Sequence, residues 1–313
     1  MTGAIALVVG GLVLLTLSAD RLVLSAARLS RLWGMSAVLI GALVIGMGTS
    51  LPELLVSTLA AARGEMDLAM GNIVGSNVAN LSLILGASVV ILPVAGHLHT
   101  IKREGVLMLS AVALFGVAAW GGAINRLEGC LLLVGMAVSG WLLVRWSRQD
   151  VAEGTVAIDV DDVAPPGRGA AFELMVGVLA LAATLGGADL LLRGARIVAS
   201  EMGLSEGFVG LSLVAIGTSL PELATGIAAA RRKENAIVIG NVLGSNLFNS
   251  LGVAGVAALA GGTFTTDFRT PIVVMIAIST LAGILTATGN RLVRWEGAIL
   301  VAGFAGFLAL GIR

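Results

Sequence analysis

Two glutamates set inside apolar sequence carry most of the chemistry open to this chain. Glu53 ends the hexapeptide Gly48-Thr49-Ser50-Leu51-Pro52-Glu53, and Glu222 ends the same six residues at Gly217-Thr218-Ser219-Leu220-Pro221-Glu222. A carboxylate at the centre of a bilayer is costly unless it is paired or faces water. Two of them brought together need a counter-charge, and a divalent cation with oxygen ligands supplies it. Thr49, Ser50, Thr218 and Ser219 place neutral hydroxyl oxygens beside the acids. Pro52 and Pro221 each remove a helical hydrogen bond and displace the carbonyl four residues back. Carbonyls from Gly46 to Thr49, and from Ala215 to Thr218, are thereby expected to turn toward a cation. One proline would be explained by a packing kink. A symmetric pair beside glutamates points to a cavity, where broken helices are tolerated at membrane depth.

A second repeated pattern supplies the facing wall. Gly71-Asn72-x-x-Gly75-Ser76-Asn77-x-x-Asn80 returns as Gly240-Asn241-x-x-Gly244-Ser245-Asn246-x-x-Asn249. Ser76 and Asn80 share one helix face, as do Ser245 and Asn249, and these four are expected to line the cavity. The glycines admit a close neighbouring backbone. Asn72, Asn77, Asn241 and Asn246 fit a cavity wall and a packing seam equally well. The donor set is all oxygen, which suits Ca²⁺, Na⁺ and Mg²⁺ and speaks against zinc, copper or iron. Cys130 is alone, so one chain holds neither a disulfide nor a cysteine metal site. His97 and His99 fall between expected helices and read as solvated loop residues.

The elements that must position these residues are membrane helices. Of 313 residues 57% are hydrophobic and 12% charged, with mean hydropathy +1.01, against about 25% charge in soluble domains. The alternation and aromatic girdles of a membrane β-barrel are missing, and zero net charge argues against a nucleic-acid partner. A shift of 169 residues superimposes Asp20 on Asp189, Gly41 on Gly210, Glu53 on Glu222 and the Gly-Asn patterns on each other. The chain is therefore read as an all-α polytopic protein with a first five-helix repeat (1–146), a linker (147–170) and a second repeat (171–313). The expected spans are 3–29, 36–62, 69–92, 104–123 and 126–146, then 172–199, 205–230, 236–260, 270–288 and 294–312. Five is odd, so the second repeat is expected to enter the membrane inverted. Thirteen Lys and Arg on one set of faces against six on the other put the first set in the cytoplasm and both termini outside. The first apolar run precedes Arg21 and reads as a retained helix, not a signal peptide. The linker reads as solvated and acidic, through Asp150, Glu153, Asp159, Asp161 and Asp162. An EF-hand starting at Asp159 would need Gly and Glu where Ala164 and Ala170 stand.

Both motifs, paired in two inverted halves, resemble the cation/calcium exchanger superfamily, specifically its sodium/calcium exchanger branch, over essentially the whole chain. The resemblance implies a central Ca²⁺ site flanked by Na⁺ sites. Glu53 and Glu222 would be shared ligands, Thr49 and Thr218 would give carbonyls, and Ser50, Ser76, Ser219 and Ser245 would complete Na⁺ shells. Backbone oxygens at Gly46 and Ala215 would be further Na⁺ ligands. Some relatives carry Asp where Asn249 stands; with Asn80 also neutral, the pocket offers two formal charges, enough for one Ca²⁺ or two Na⁺. The helices bearing Arg21, Arg28 and Arg31, and Arg193 and Arg196, would slide against the rest.

The resulting expectation is a secondary-active antiporter, not an enzyme, exchanging Ca²⁺ for Na⁺ across an inner or plasma membrane. It would need no cofactor and no obligate protein partner. The nearest rival is an H⁺/Ca²⁺ antiporter on the same fold, in which protonation of Glu53 and Glu222 replaces Na⁺ binding. A cation channel and an intramembrane hydrolase stand further off. For the hydrolase, Ser50 and Ser219 lack a base, and Asp20 and Asp189, placed near helix ends, read as partners of arginine rather than as a catalytic dyad.

Overall fold

The computed structural model describes residues 2–95, 98–154, 169–201, 217–260, 263, 267–288 and 291–311. The chain runs through α1 (Thr2–Trp33), α2 (Ala37–Thr49), α3 (Leu51–Ala62), α4 (Met66–Ile91), β1 (Val94–Ala95), α5 (Leu98–Ala119) and α6 (Arg126–Ala152). It continues through α7 (Ala170–Glu201), α8 (Leu220–Arg231), α9 (Asn235–Ala260), α10 (Arg269–Thr288), β2 (Arg291–Leu292) and α11 (Arg294–Gly311). Among the described residues six helices are long and apolar enough to cross a membrane, and α2 with α3, bent by 44° at Ser50, would make a seventh. Leu17, Val117, Leu127 and Leu179 are exposed on outer faces, as expected where lipid replaces water. Among the described residues this membrane protein is all-helical but for one short ladder and an isolated bridge between Ala123 and Thr263.

That ladder pairs Val94 with Leu292 and Ala95 with Arg291, antiparallel. Two residues are too few to show an alternating pattern, so nothing in the residue pattern announces it. Residues 205–216 of the expected span 205–230 lie outside the described residues; the other expected spans coincide with helices to within a few residues, with two informative exceptions. Helix α5 starts at Leu98 rather than 104, which puts His99 in its first turn and not in a loop; His97 lies outside the described residues. Helix α6 runs to Ala152 rather than stopping at 146. Asp150, assigned to a solvated linker, is buried and takes both guanidinium nitrogens of Arg103 at 3.1 and 2.6 Å. Arg103 also lies over the Trp146 ring at 4.7 Å, and the Ser36 N–H donates to Ser147 Oγ at 2.9 Å. These partners on α5 and before α2 carry the helix past its apolar end. Linker residues 155–168 lie outside the described residues.

Burial separates the helices into a centre and a rim. In their apolar windows α4 and α9 are 78% and 83% buried, against 28% for α1 and α7. The two helices carrying the Gly-Asn patterns are thus the core. Helix α9 approaches α2 backbone to backbone: a Cβ on Gly240 would stand 2.2 Å from the Val38 carbonyl oxygen, and one on Gly244 2.3 Å from that of Ala42. The counterparts of Val38 and Ala42 that the repeat would set against Gly71 and Gly75 lie outside the described residues. On the rim, α1 lies along α7, with Gly11 against the Leu191 backbone and Gly187 against that of Leu15. Arg21 and Arg28 of α1 converge on the buried Glu173 of α7 at 3.1 and 2.7 Å, and Ser25 Oγ donates to the same carboxylate at 3.2 Å.

Candidate cation site

The proline pairs do what helix chemistry requires of them. Pro52 and Pro221 sit in the first turn of α3 and α8, where a missing N–H is an orphan anyway. The residue ahead of each helix takes the same bridge conformation, φ −83°, ψ 11° at Ser50 and φ −89°, ψ 6° at Ser219. Glu53 and Glu222 therefore fall in a helix first turn, where the dipole favours a negative charge. Both are 1% exposed.

A Ser-x-x-Glu run ordinarily closes a capping box on its own helix. Here neither serine caps. Ser50 Oγ instead donates across the molecule to Glu222 Oε1 at 2.8 Å, and Ser219 Oγ to Glu53 Oε1 at 3.3 Å. Each half thus holds the other half's carboxylate. The sequence could not have shown this exchange, because each serine is three residues from one glutamate and over 160 from the one it binds.

The Gly-Asn helices clasp this centre from the side. Asn72 Nδ2 donates to the Glu53 carbonyl at 3.4 Å and to Ser57 Oγ at 2.9 Å; Asn241 Nδ2 donates to the Glu222 carbonyl at 3.3 Å and to Thr225 Oγ1 at 3.4 Å. Thr218 Oγ1 donates to Asn72 Oδ1 at 3.4 Å. Asn77 and Asn246 donate along their own helices, to the carbonyls of Ile73 at 2.9 Å and Val242 at 2.7 Å. The amide nitrogens of all four asparagines are thus engaged, while Asn241 Oδ1 and Asn246 Oδ1 are buried without a partner among the described residues. Ser57 and Thr225 escaped the sequence reading. Their signal was there: each follows its glutamate by about one helical turn, on the same face.

Ser245 Oγ donates to the Gly46 carbonyl at 3.1 Å, which also accepts the Ser50 N–H at 3.2 Å. That carbonyl, expected to be turned out by Pro52, is held inside the protein. Thr49 Oγ1 likewise donates to the Ile45 carbonyl at 2.9 Å. Ala215 lies outside the described residues. Asn80 and Asn249 each open a π-helical stretch or lie in its first turn, at Asn80–Ile84 and Phe248–Val253, and such irregular turns recur at functional sites.

The polar atoms left over are the telling ones. Among the described residues, Glu53 Oε2, Glu222 Oε2, Ser76 Oγ and both amide atoms of Asn80 and of Asn249 are buried and without a hydrogen-bond partner. Native proteins satisfy almost all such groups, and each orphan costs about 1–3 kcal/mol, more when charged. Residues 72, 76 and 80 recur along one face of α4, as do 241, 245 and 249 along α9, so the clasp that fixes Asn72 and Asn241 turns the orphans toward the same centre. Among the described residues no three His, Cys, Asp or Glu side chains come together. Two carboxylates completed by neutral oxygens are what this centre offers a cation.

Asp20 and Asp189 sit well within α1 and α7, not near their ends, and both pair with arginine: Asp20 with Arg232 and Asp189 with Arg193.

The sodium/calcium exchanger protein family matches residues 3–144 and 172–313. The chain is 36% identical to the putative antiporter CaxA of Alkalimonas amylolytica, over 95% of each chain. It is 31% identical to the sodium/calcium exchanger MaX1 of Methanosarcina acetivorans, over 96% of each. Its fold superimposes on the sodium-calcium exchanger NCX_Mj with a TM-score of 0.86 and 28% identity, covering 98% of this chain and 97% of the other. With its two hexapeptides set face to face across a centre of orphaned oxygens, the chain belongs to the sodium/calcium exchanger family.

Proposed function

We propose that this cation/Ca²⁺ antiporter is driven by Na⁺, and that Glu53 and Glu222 bind Ca²⁺ and Na⁺ in turn. The observation that carries the reading is the pair of buried carboxylates, each held at one oxygen by a serine of the other half and left open at the other. Two formal charges balance one Ca²⁺ or two Na⁺. Ser50, Ser219, Ser76, Ser245, Thr49, Thr218, Asn80, Asn249 and the carbonyls of Gly46 and Ala215 complete the shells. A proton on a glutamate needs no such shell, which favours Na⁺ as the coupling ion. The carriage of Na⁺ by this fold is supported by the relatives named as sodium/calcium exchangers.

The ten helices act as two five-helix repeats inverted in an inner or plasma membrane, with both termini outside and the linker that follows Ala152 in the cytoplasm. Inverted repeats around a central site permit alternating access by small movements of one part against another. The buried α4 and α9 form the fixed part, and the α1–α7 pair, joined through Glu173, moves along it as a unit.

The test is ⁴⁵Ca²⁺ uptake into proteoliposomes loaded with Na⁺, with K⁺-loaded and acid-loaded vesicles alongside. Uptake should require the outward Na⁺ gradient. Uptake driven by the pH gradient would assign the chain to proton coupling, and uptake indifferent to both would overturn the antiport reading.

A further inference from the structure

Among the described residues two ionic contacts attach a rim helix to its surroundings, and one of them has an unformed mirror image. Arg232, in the turn between α8 and α9, donates through Nε and an Nη to both oxygens of Asp20 at 2.6 and 2.5 Å. Arg31 of α1 stands 4.0 Å from Glu234 in the same turn. The repeat shift of 169 carries Asp20 to Asp189 and Arg232 to Arg63. Asp189 is engaged within its own helix by Arg193 at 2.7 Å, with both side chains more than half exposed. Arg63 is exposed and forms no ion pair among the described residues.

The two turns have the same backbone. Arg63 takes φ −91°, ψ 0° and Arg232 φ −84°, ψ 0°. Gly64 and Lys233 follow with positive φ of 80° and 61°. Glu65 and Glu234 close the turns at φ −91°, ψ 54° and φ −82°, ψ 64°. The turn between α3 and α4 therefore presents Arg63 toward its surroundings as the other turn presents Arg232. What differs is the rim helix opposite: α1 packs along α8, whereas α7 makes little contact with α3.

We propose that Asp20–Arg232 and Asp189–Arg63 are alternating latches, one closed while the other is open, that position the α1–α7 pair in the two halves of the exchange cycle. The inference rests on the alternating-access reading above. In an inverted repeat, exchanging the conformations of the halves exchanges the side that is open, so a contact made by one half is made by the other in the opposite state. The bidentate geometry gives the latch direction. Its exposure, 32% for Arg232 and 47% for Asp20, keeps it weak enough to break at each turnover. Glu173, fully buried between Arg21 and Arg28, makes a contact that does not open, so both latches report on one moving body.

Cross-linking tests this in the full chain, reconstituted in vesicles, with the exposed Cys130 first replaced by alanine. Cysteine pairs are introduced as Asp20→Cys with Arg232→Cys, and as Arg63→Cys with Asp189→Cys. Both pairs should oxidise to disulfides, and each disulfide should stop ⁴⁵Ca²⁺ uptake until reduced. Adding Arg232→Gln to the 63/189 pair should speed its cross-linking about two- to fivefold, the population shift of a partly exposed ion pair. Exchanging charges there, with Asp20→Arg and Arg232→Asp, should return that rate to its starting value, which a purely structural role would not do. A 63/189 pair that never cross-links in transporting vesicles, or whose rate ignores Arg232→Gln, overturns the latches. If both pairs cross-link and block uptake as described, but uptake by the reduced protein follows a pH gradient and not Na⁺, the Na⁺ reading falls and the latches stand.

Discussion

The two hexapeptides are identical in sequence and unequal in bonding. Ser50 reaches Glu222 at 2.8 Å, while Ser219 reaches Glu53 at 3.3 Å. Ser245 has found the Gly46 carbonyl, whereas its counterpart Ser76 has no partner among the described residues. Asp20 holds an arginine of the other half, whereas Asp189 holds one on its own helix. Letters that match cannot encode these differences locally. They arise because the halves occupy different positions relative to the rim, and they teach that one sequence motif serves two structural roles at once.

The largest blow to that comparison should come from the carboxylates. Glu53→Gln and Glu222→Gln should each lower Na⁺-driven ⁴⁵Ca²⁺ uptake about 100-fold or more, since ligand charge sets divalent affinity. A variant that keeps substantial uptake would show that its glutamate is not a shared ligand. Next are the serines. Removing a hydrogen bond to a charged group costs about 1.5–3 kcal/mol, so Ser50→Ala and Ser219→Ala should each slow turnover about tenfold. Equal losses are expected if each serine plays both parts during a cycle; a loss confined to Ser50→Ala would mean that the asymmetry is permanent.

The asparagines sharpen the contrast between orphaned and satisfied amides. Asn80→Ala and Asn249→Ala should leave the melting temperature in Ca²⁺-free detergent unchanged or raised, because the unpaired amide removed was itself costing about 1–3 kcal/mol. They should still reduce uptake. Asn77→Ala removes an amide bonded at both atoms, to the Ile73 carbonyl and from Ser250 Oγ, and should lower that melting temperature in thermal-shift measurements; Asn246→Ala removes a bonded Nδ2 together with an unpartnered Oδ1 and should lower it less. The same fall at all four positions would mean that Asn80 and Asn249 are structural. The smallest effect belongs to the clasps. Ser57→Ala and Thr225→Val should each destabilise by about 1 kcal/mol, with the first the more damaging because its bond to Asn72 is 2.9 Å rather than 3.4 Å.

Much of the molecule was legible before folding. Long apolar runs fixed where helices lie, because bilayer thickness and backbone hydrogen bonding leave a membrane segment little choice. The boundaries that moved were those settled by polar partners from elsewhere. Asp150 stays helical because Arg103, 47 residues away, binds it. Glu173 gave no local signal, since its role depends on Arg21 and Arg28 in the first half.

Of the site, residue types and repeat spacing disclosed the glutamates, the serines and the face shared by Ser76 with Asn80 and Ser245 with Asn249. These follow from helix periodicity and from the cost of charge in lipid, which are properties of the chain itself. Only the tertiary structure decided which serine holds which glutamate, that the amide nitrogens of Asn72 and Asn241 clasp the glutamate carbonyls, and that the Gly46 carbonyl is already engaged. Those choices depend on distances between segments well over 100 residues apart, which inverted packing sets and composition cannot. The sequence determined the parts and their symmetry; the packing of the halves broke that symmetry, because two identical motifs cannot both lie nearer the same side.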